Sequence, residues 1–498
     1  MAQDPLSQDW RTLDRDLKRV SRLEAATMYT ARPLVGLGIS LVFVTVAALS
    51  AALLMGGEPQ TLAVVVAAAF GAYLALNIGA NDVANNMGPA VGARALPLGL
   101  AIAIAAICES AGAILAGGDV IDTVSTGIFD PSGLQDPEAF VPAMMATLLA
   151  ASLWVNLATW IGAPVSTTHS MIGAVVGAAL AAGGLLGPVN WMTLLAIVTT
   201  WVATPVVGGL FAAAGLAFIE WRILRVPDKL SAARRWVPLL IGVMAAAFTT
   251  YLAIKGLNRV LEIALPAALG LGAVVGCLVT AISVPLVRRS AAGMENRNRS
   301  IKQLFSLPLI AAAALLSFAH GANDVANAVG PLAALVQVQH DAQVSGSFAL
   351  PLWIMLIGAF GISVGLVLFG PKLIGMVGNQ ITKLNPMRAY CVALSTAVTV
   401  IAASWAGLPV STTHIAIGGV FGVGFFREWE TEWRFRRQRS ARQAAAATAT
   451  AMPRQERRRR RLVRRSHFLT ILGAWAITVP AAAILSAICY TLLELLAF

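Results

Sequence analysis

Thirteen apolar segments run along this chain of 498 residues, at roughly 33–55, 61–92, 97–117, 139–163, 165–183, 189–217, 237–256, 263–287, 303–330, 349–369, 389–408, 410–426 and 468–495. Most reach the roughly 20 residues with which a helix crosses the hydrocarbon core of a bilayer. Polar residues are sparse inside these segments, and where they occur they form phrases. Gly79-Ala-Asn-Asp-Val-Ala-Asn-Asn-Met-Gly-Pro89 returns as Gly321-Ala-Asn-Asp-Val-Ala-Asn-Ala-Val-Gly-Pro331, identical at nine of eleven positions. Pro164-Val-Ser-Thr-Thr-His169 returns unchanged as Pro409-Val-Ser-Thr-Thr-His414. The first phrase leads the second by 85 residues in one copy and 88 in the other. The chain is therefore a duplicated unit with the same two polar phrases in each copy.

Composition decides the class. A soluble chain of this length would hold about three domains, but 58% hydrophobic and 12% charged residues, with a mean hydropathy of +0.76, describe an all-α polytopic membrane protein of 12–13 segments. The net charge of +12 is gathered in 1–32, Arg222–Arg235, Arg288–Lys302 and Arg427–Arg465, which reads as cytoplasmic topology and not as nucleic-acid binding. The five consecutive arginines at 457–461 read as a solvated anchor of that topology. Cys108, Cys277, Cys391 and Cys489 stand singly in apolar stretches and fit neither a zinc site nor a disulfide framework. The first 32 residues are polar and of mixed charge, the pattern of a cytoplasmic arm rather than a cleavable signal.

Loop charge then indicates the handedness of the repeat. Residues 118–138 hold five acidic and no basic side chains, whereas the matching 370–388 hold Lys372, Lys383 and Arg388 and no acid. After the first phrase one unit has Arg94, and the other has Asp341 with no basic residue. Residues 183–190 are uncharged, whereas the second copy runs into the basic stretch 427–467. Equivalent loops thus face opposite sides, and the seven crossings from the start of one phrase-bearing helix to the start of the other give the same parity. The expectation is an inverted-topology repeat with sites near the midplane. Its parts are a cytoplasmic arm (1–32), an extra membrane helix (33–55), a first transport repeat (61–217), connecting helices and basic loops (218–302), a second transport repeat (303–426), a basic cytoplasmic loop (427–467) and a last membrane helix (468–498). The segments carrying Pro-Val-Ser-Thr-Thr-His are either full crossings or re-entrant hairpins with that phrase at the tip.

The phrases carry the chemistry. An aspartate at the centre of a membrane helix costs about 2.5–3.5 kcal/mol, so Asp82 and Asp324 need compensation. Asn81, Asn85, Asn323 and Asn327 beside them supply amide oxygens, and hard oxygen ligands suit a small cation. The flanking glycines and the Gly-Pro pairs favour local unwinding, which would free carbonyls as further ligands. A bland alternative is a helix-packing motif, which accounts for the glycines and asparagines but not for an ionisable residue in both copies.

The second phrase reads as a helix start, with Ser166, Thr167 and Thr168 in one copy and Ser411, Thr412 and Thr413 in the other offering hydroxyls beside free backbone N–H groups. Simple capping accounts for one copy; two copies aim two helix starts at one place. His169, His414 and His320 are candidates to contact a proton or an anion, and the first two can equally just complete the caps. Glu109 is a third intramembrane carboxylate, with no acid at the matching stretch Gly358–Gly370. From 33 to 221 the single basic residue is Arg94. Two helix starts supply about +1, which leaves a dianion and two aspartates short of roughly three positive charges. Bound cations or protons must supply them, which is the logic of a cation-coupled anion symporter.

These paired motifs, over residues 61 to 495, resemble the inorganic phosphate transporter (PiT) family of bacterial permeases, plastid transporters and animal sodium-phosphate symporters. The resemblance implies an inverted-repeat helical fold with hairpins that moves orthophosphate with Na⁺ or H⁺. By it, Asn81, Asp82, Asn85, Asn323, Asp324 and Asn327 are cation ligands, Ser166, Thr167, Thr168, Ser411, Thr412 and Thr413 hold phosphate, and Glu109 matches a family acid. The chain departs from the family in having no acid in Met387–Gly407, and in the extra segment 33–55, which puts the N-terminus in the cytoplasm and the C-terminus outside. The partners implied are inorganic phosphate, Na⁺ or H⁺, membrane lipid and, compatibly, a second copy in a homodimer, with no nucleic acid and no cofactor or metal beyond a bound Na⁺. The location implied is the inner membrane. The rival readings are a sulfate or broader oxyanion permease, a channel, a phosphate sensor, and a membrane-embedded enzyme, which two full copies of the phrases argue against.

Overall fold

The computed structural model describes residues 34–56, 61–161, 165–184, 188–256, 263–340, 350–380, 384–443 and 465–496. The N-terminal arm, Pro164 and the arginine run 457–461 lie outside them. Fifteen α-helices follow one another among the described residues. They are α1 (Leu34–Leu54), α2 (Thr61–Gly92), α3 (Leu98–Ala116), α4 (Gly118–Asp122), α5 (Phe140–Ile161), α6 (Thr167–Gly183), α7 (Trp191–Ile219), α8 (Lys229–Lys255), α9 (Leu265–Ser290), α10 (Asn298–Leu304), α11 (Ser306–His340), α12 (Leu352–Gln380), α13 (Pro386–Trp405), α14 (Thr412–Gln443) and α15 (Arg465–Leu495). Among the described residues eleven helical stretches are long and apolar enough to cross a membrane; neither α6 nor α14 is among them. Those eleven, with α6 and the apolar start of α14, correspond one to one with the segments read from the sequence.

The phrase-bearing helices α2 and α11 run antiparallel through the centre. Val64–Ile78 of α2 share one apolar core with Val325–Val336 of α11, and Val83–Ala90 share the other with Phe305–Leu316. Around them the two units exchange partners. α2 packs on α12 and α11 on α3; α7 packs on α14 and α15 on α6. Each half therefore completes its packing only with helices of the other.

Both phrase helices are continuous where the glycines and Gly-Pro pairs led us to expect unwinding: Pro89 and Pro331 lie inside α2 and α11. The glycines serve a different purpose. A Cβ at Gly79 would stand 1.8 Å from the Ile362 carbonyl oxygen, and one at Gly321 would stand 2.0 Å from that of Glu109. Backbones in direct contact need a residue without a side chain at the crossing. Proline is tolerated in such a helix because packed neighbours and hydroxyl side chains can re-satisfy the freed backbone groups.

Charge is sorted to the two ends. At one end the basic stretches meet: the Lys229 backbone N–H donates to Asn296 Oδ1 (3.0 Å), Lys229 Nζ to Asn298 Oδ1 (2.9 Å), and Arg234 to the Ala291 carbonyl (3.1 Å). Asp228 caps α8 there, and the Ser231 hydroxyl and N–H hold its carboxyl below the usual carboxylate range. Glu430 of α14 joins this end through Arg225. At the other end Lys255 pairs with Asp119, and residues 128–130 bond to 188–190 through Asp130 N–H to Pro188 O (2.7 Å) and Asn190 N–H to Ile128 O (2.9 Å). Loops read from their charge as lying on the same side thus meet in space.

Candidate functional site

α6 and α14 begin deep inside the protein. Ser166 and Ser411 each accept the backbone N–H three residues on, from His169 at 3.1 Å and His414 at 3.3 Å, so both serines cap helices as their position suggests. Gly407, at φ +68°, turns the chain after α13 so that Val410 enters the core. Ser166, Thr167, Thr168, Ser411, Thr412 and Thr413 are all buried, and so are Asn81, Asp82, Glu109, His320, Asn323, Asp324 and Asn327; Asn85 is half-buried.

The two phrases form one network. Asp82 accepts from Thr167 Oγ1 at 2.9 Å and from Thr413 Oγ1 at 3.3 Å, one hydroxyl from the start of α6 and one from the start of α14. Asn85 donates to Thr413 Oγ1 at 2.8 Å, and the equivalent Asn327 donates to Thr168 Oγ1 at 3.1 Å, so each first phrase reaches the second phrase of the other half. Asn85 and Asn327 also lie 3.4 and 3.3 Å from their own Asp82 and Asp324. Asn323 pairs with the Val410 peptide in both directions, its amide donating to the carbonyl at 2.7 Å and its oxygen accepting the N–H at 3.2 Å. Asn81 turns to Thr159 Oγ1 instead, at 2.9 Å.

The histidines separate into two places. His320 stands among the acids, with Nε2 2.8 Å from Asp324 and 3.7 Å from Asp82, and Nδ1 3.3 Å from Glu109. His169 and His414 meet each other, ring centroids 4.3 Å apart; His169 also stacks on Trp201 at 3.7 Å and lies 2.8 Å from Ser166 Oγ through Nδ1.

Sequence reading passed over Asn86. It is fully buried and donates to Glu109 Oε1 at 2.8 Å. A signal was present, since Asn86 is one of the two positions at which the first phrases differ, Ala328 standing opposite it. The crossing contacts show the same asymmetry on the neighbouring helices. Gly112 meets Phe318 as Gly365 meets Leu76, a register that sets Glu109 opposite Ile362 and His320 opposite Ile78. One crossing thus carries Asn86, Glu109 and His320, and its counterpart carries apolar side chains.

Among the described residues no lysine or arginine is buried. Glu109 Oε2, Asn86 Oδ1 and Asn327 Oδ1 are buried acceptors without a donor. Carboxylate, amide and hydroxyl oxygens with unfilled acceptor capacity fit a small hard cation or a proton, and two capped helix starts beside them suit an anion.

Residues 78–486 match the model of the Phosphate transporter family. The chain is 45% identical over 430 residues to a Helicobacter pylori protein named "Putative phosphate permease", covering 86% of this chain and 80% of that protein. It is 37% identical to one of the same name from Haemophilus influenzae (73% and 87%) and 33% identical to one from Pyrococcus furiosus (86% and 95%). A solved structure, "The sodium-dependent phosphate transporter", superposes with a TM-score of 0.77 at 33% identity, over 87% of this chain and 99% of that one.

Proposed function

The chain belongs to the phosphate transporter family and is a multi-pass membrane protein of phosphate transport, and on that premise we propose that it is a secondary active symporter importing inorganic phosphate across the inner membrane with a coupling cation. The observation that carries this reading is the cluster of Asp82, Glu109 and Asp324, buried together without one buried lysine or arginine among the described residues. Such a site cannot take a phosphate dianion until positive charge arrives with it. Na⁺ is the cation we favour, on the oxygen-rich donor set and the sodium dependence by which the solved relative is named; the proton is the alternative, with His320 placed among the acids.

The network suggests how coupling works. Thr167 and Thr413 spend their hydroxyl protons on Asp82. A cation seated at Asp82, Asn81 and Asn85, and another at Asp324, Asn323 and Asn327, takes over the charge balance of both carboxylates. The hydroxyls of Thr167 and Thr413 are then released to phosphate, with Thr168 and Thr412 next to them at the helix starts capped by Ser166 and Ser411. Glu109 is the third coupling acid on this reading.

The antiparallel course of α2 and α11 and their exchanged partners support an inverted repeat. α6 has 17 residues, roughly 25 Å of helix, short of a full crossing, which supports hairpins ending at the site. An N-terminus in the cytoplasm follows if the basic end faces inward.

The experiment is labelled phosphate uptake into proteoliposomes, with Na⁺ and pH gradients imposed separately and sulfate as competitor. Accumulation driven by one gradient, and blocked by unlabelled phosphate but not by equal sulfate, is the expected result and names the ion. Equal inhibition by sulfate widens the substrate to tetrahedral oxyanions, and uptake that ignores both gradients sinks the symport reading.

A further inference from the structure

In the proposed cycle Asp82 gives up Thr167 and Thr413 when a cation arrives, and with them a bridge between the starts of α6 and α14. Phosphate needs those two starts at a fixed spacing at that moment. α6 packs on α5 and α15, and α14 on α13 and α7, so each start is carried by a different set of helices. Thr168 also ties them, donating to the Val410 carbonyl at 3.1 Å, but its hydroxyl is itself a proposed phosphate contact. A tie that outlasts binding has to come from side chains that neither ion claims.

His169 and His414 are such side chains. Both are buried in the first turns of α6 and α14, with ring centroids 4.3 Å apart. The His169 ring also stacks on Trp201 of α7, at 3.7 Å and 28° between planes. Trp201 and His414 belong to one wall, because α7 and α14 run parallel in backbone contact, Pro205 on Gly418 and Gly209 on Gly422. Each stands four residues before the Pro205–Gly418 contact. One ring of α6 is thus lodged against two rings of the α7–α14 wall. Its Nδ1 lies 2.8 Å from Ser166 Oγ, so the position of the ring is passed to the cap of α6 and to Thr167 beside it. The repeat keeps the aromatic residue: Val479 of α15 meets Gly173 as Pro205 meets Gly418, and four residues before each stands a tryptophan, Trp475 and Trp201. The acids of the site gather at His320 instead.

We propose that His169 is a positioning residue, whose ring, held against Trp201 and His414, fixes the start of α6 to the start of α14 at the spacing that phosphate bridges. The stack acts by packing and touches neither phosphate nor the coupling cation. The inference rests on the proposed phosphate site at those two starts.

Equilibrium binding of labelled phosphate to the full chain in detergent tests this, at saturating Na⁺ or at acid pH, whichever the uptake assay names. It reads affinity without transport, so the stack and the symport reading can fail separately. Trp201→Leu should raise the phosphate Kd roughly two- to tenfold, the worth of one aromatic pair, with the number of sites per chain kept. His169→Ala loses both ring contacts and should raise it further. His169→Phe keeps a ring without its nitrogens and should bind within about a factor of two of wild type, since the stack survives. Adding Trp201→Leu to His169→Ala should cost nothing more, as expected when the partner is already gone. Wild-type phosphate affinity in Trp201→Leu overturns the proposal. So does a His169→Phe protein that binds as poorly as His169→Ala, because the imidazole nitrogens would then carry the role. If His169→Ala does not fold, Trp201→Leu and His169→Phe decide the matter by themselves.

Discussion

Ser110 Oγ of α3 and Ser363 Oγ of α12 lie 2.7 Å apart, and each hydroxyl faces a carbonyl of the other's helix, Ser363 at 2.9 Å from Ala106 O and Ser110 at 3.4 Å from Ala359 O. The interval between the serines, 253 residues, is also that between Ala106 and Ala359. The contact maps onto itself when the halves are exchanged, so it lies where an axis between them would pass. If transport alternates the two halves, this crossing must shift. Ser110→Cys combined with Ser363→Cys is expected to cross-link under mild oxidation and to stop phosphate uptake, with recovery on reduction and no such effect in either single variant. Full uptake by the cross-linked protein rules out movement there.

The close crossings predict a sharp contrast among glycines. Gly79→Ala and Gly321→Ala each drive a methyl group into a neighbouring backbone, and should lose at least the roughly 1–3 kcal/mol of an overpacked core. Gly99→Ala meets nothing within 4 Å and should unfold like wild type. Thermal unfolding in detergent compares them directly.

The acids predict a hierarchy of coupling. Asp82→Asn keeps the shape but removes the charge that accepts from Thr167 and Thr413. A hydrogen bond to a charged group is worth about 1.5–3 kcal/mol, so apparent cation affinity should fall roughly 10–100-fold, read from the gradient dependence of uptake. Asp324→Asn should behave alike. Undiminished gradient-driven uptake by either variant defeats the charge-balance argument.

Asn86 should act through Glu109. Asn86→Ala removes one donor to a buried carboxylate, a loss of about 1–3 kcal/mol, and should shift cation dependence in the same direction as Glu109→Gln. In the double variant the two effects should fall well short of additive, as expected for partners in contact. Additive losses mean that the 2.8 Å bond does not connect their roles.

The duplication, the membrane class and the polar residues of the two repeated phrases were legible in the chain. An aspartate inside an apolar run is costly enough that its repetition signals use, and basic loops sort themselves to one side of a bilayer. Asn86 escaped because a single amide in an apolar helix is ambiguous until its partner is known. The glycines were misread because glycine permits both an unwound turn and a backbone contact, and only the neighbouring helix decides between them.

The sequence by itself determined what the site is made of: two aspartates, their asparagines, two hydroxyl-bearing helix starts and one unmatched glutamate. Only the tertiary structure decided who meets whom. It placed hydroxyls from the starts of α6 and α14 on Asp82, set His320 among the acids, and gave Glu109 and His320 apolar counterparts in Ile362 and Ile78. The reason is the exchange of helices between halves. Residues far apart along the chain become neighbours through backbone contacts at glycines, and no local pattern along one segment encodes which distant carbonyl will fill the space a missing Cβ leaves.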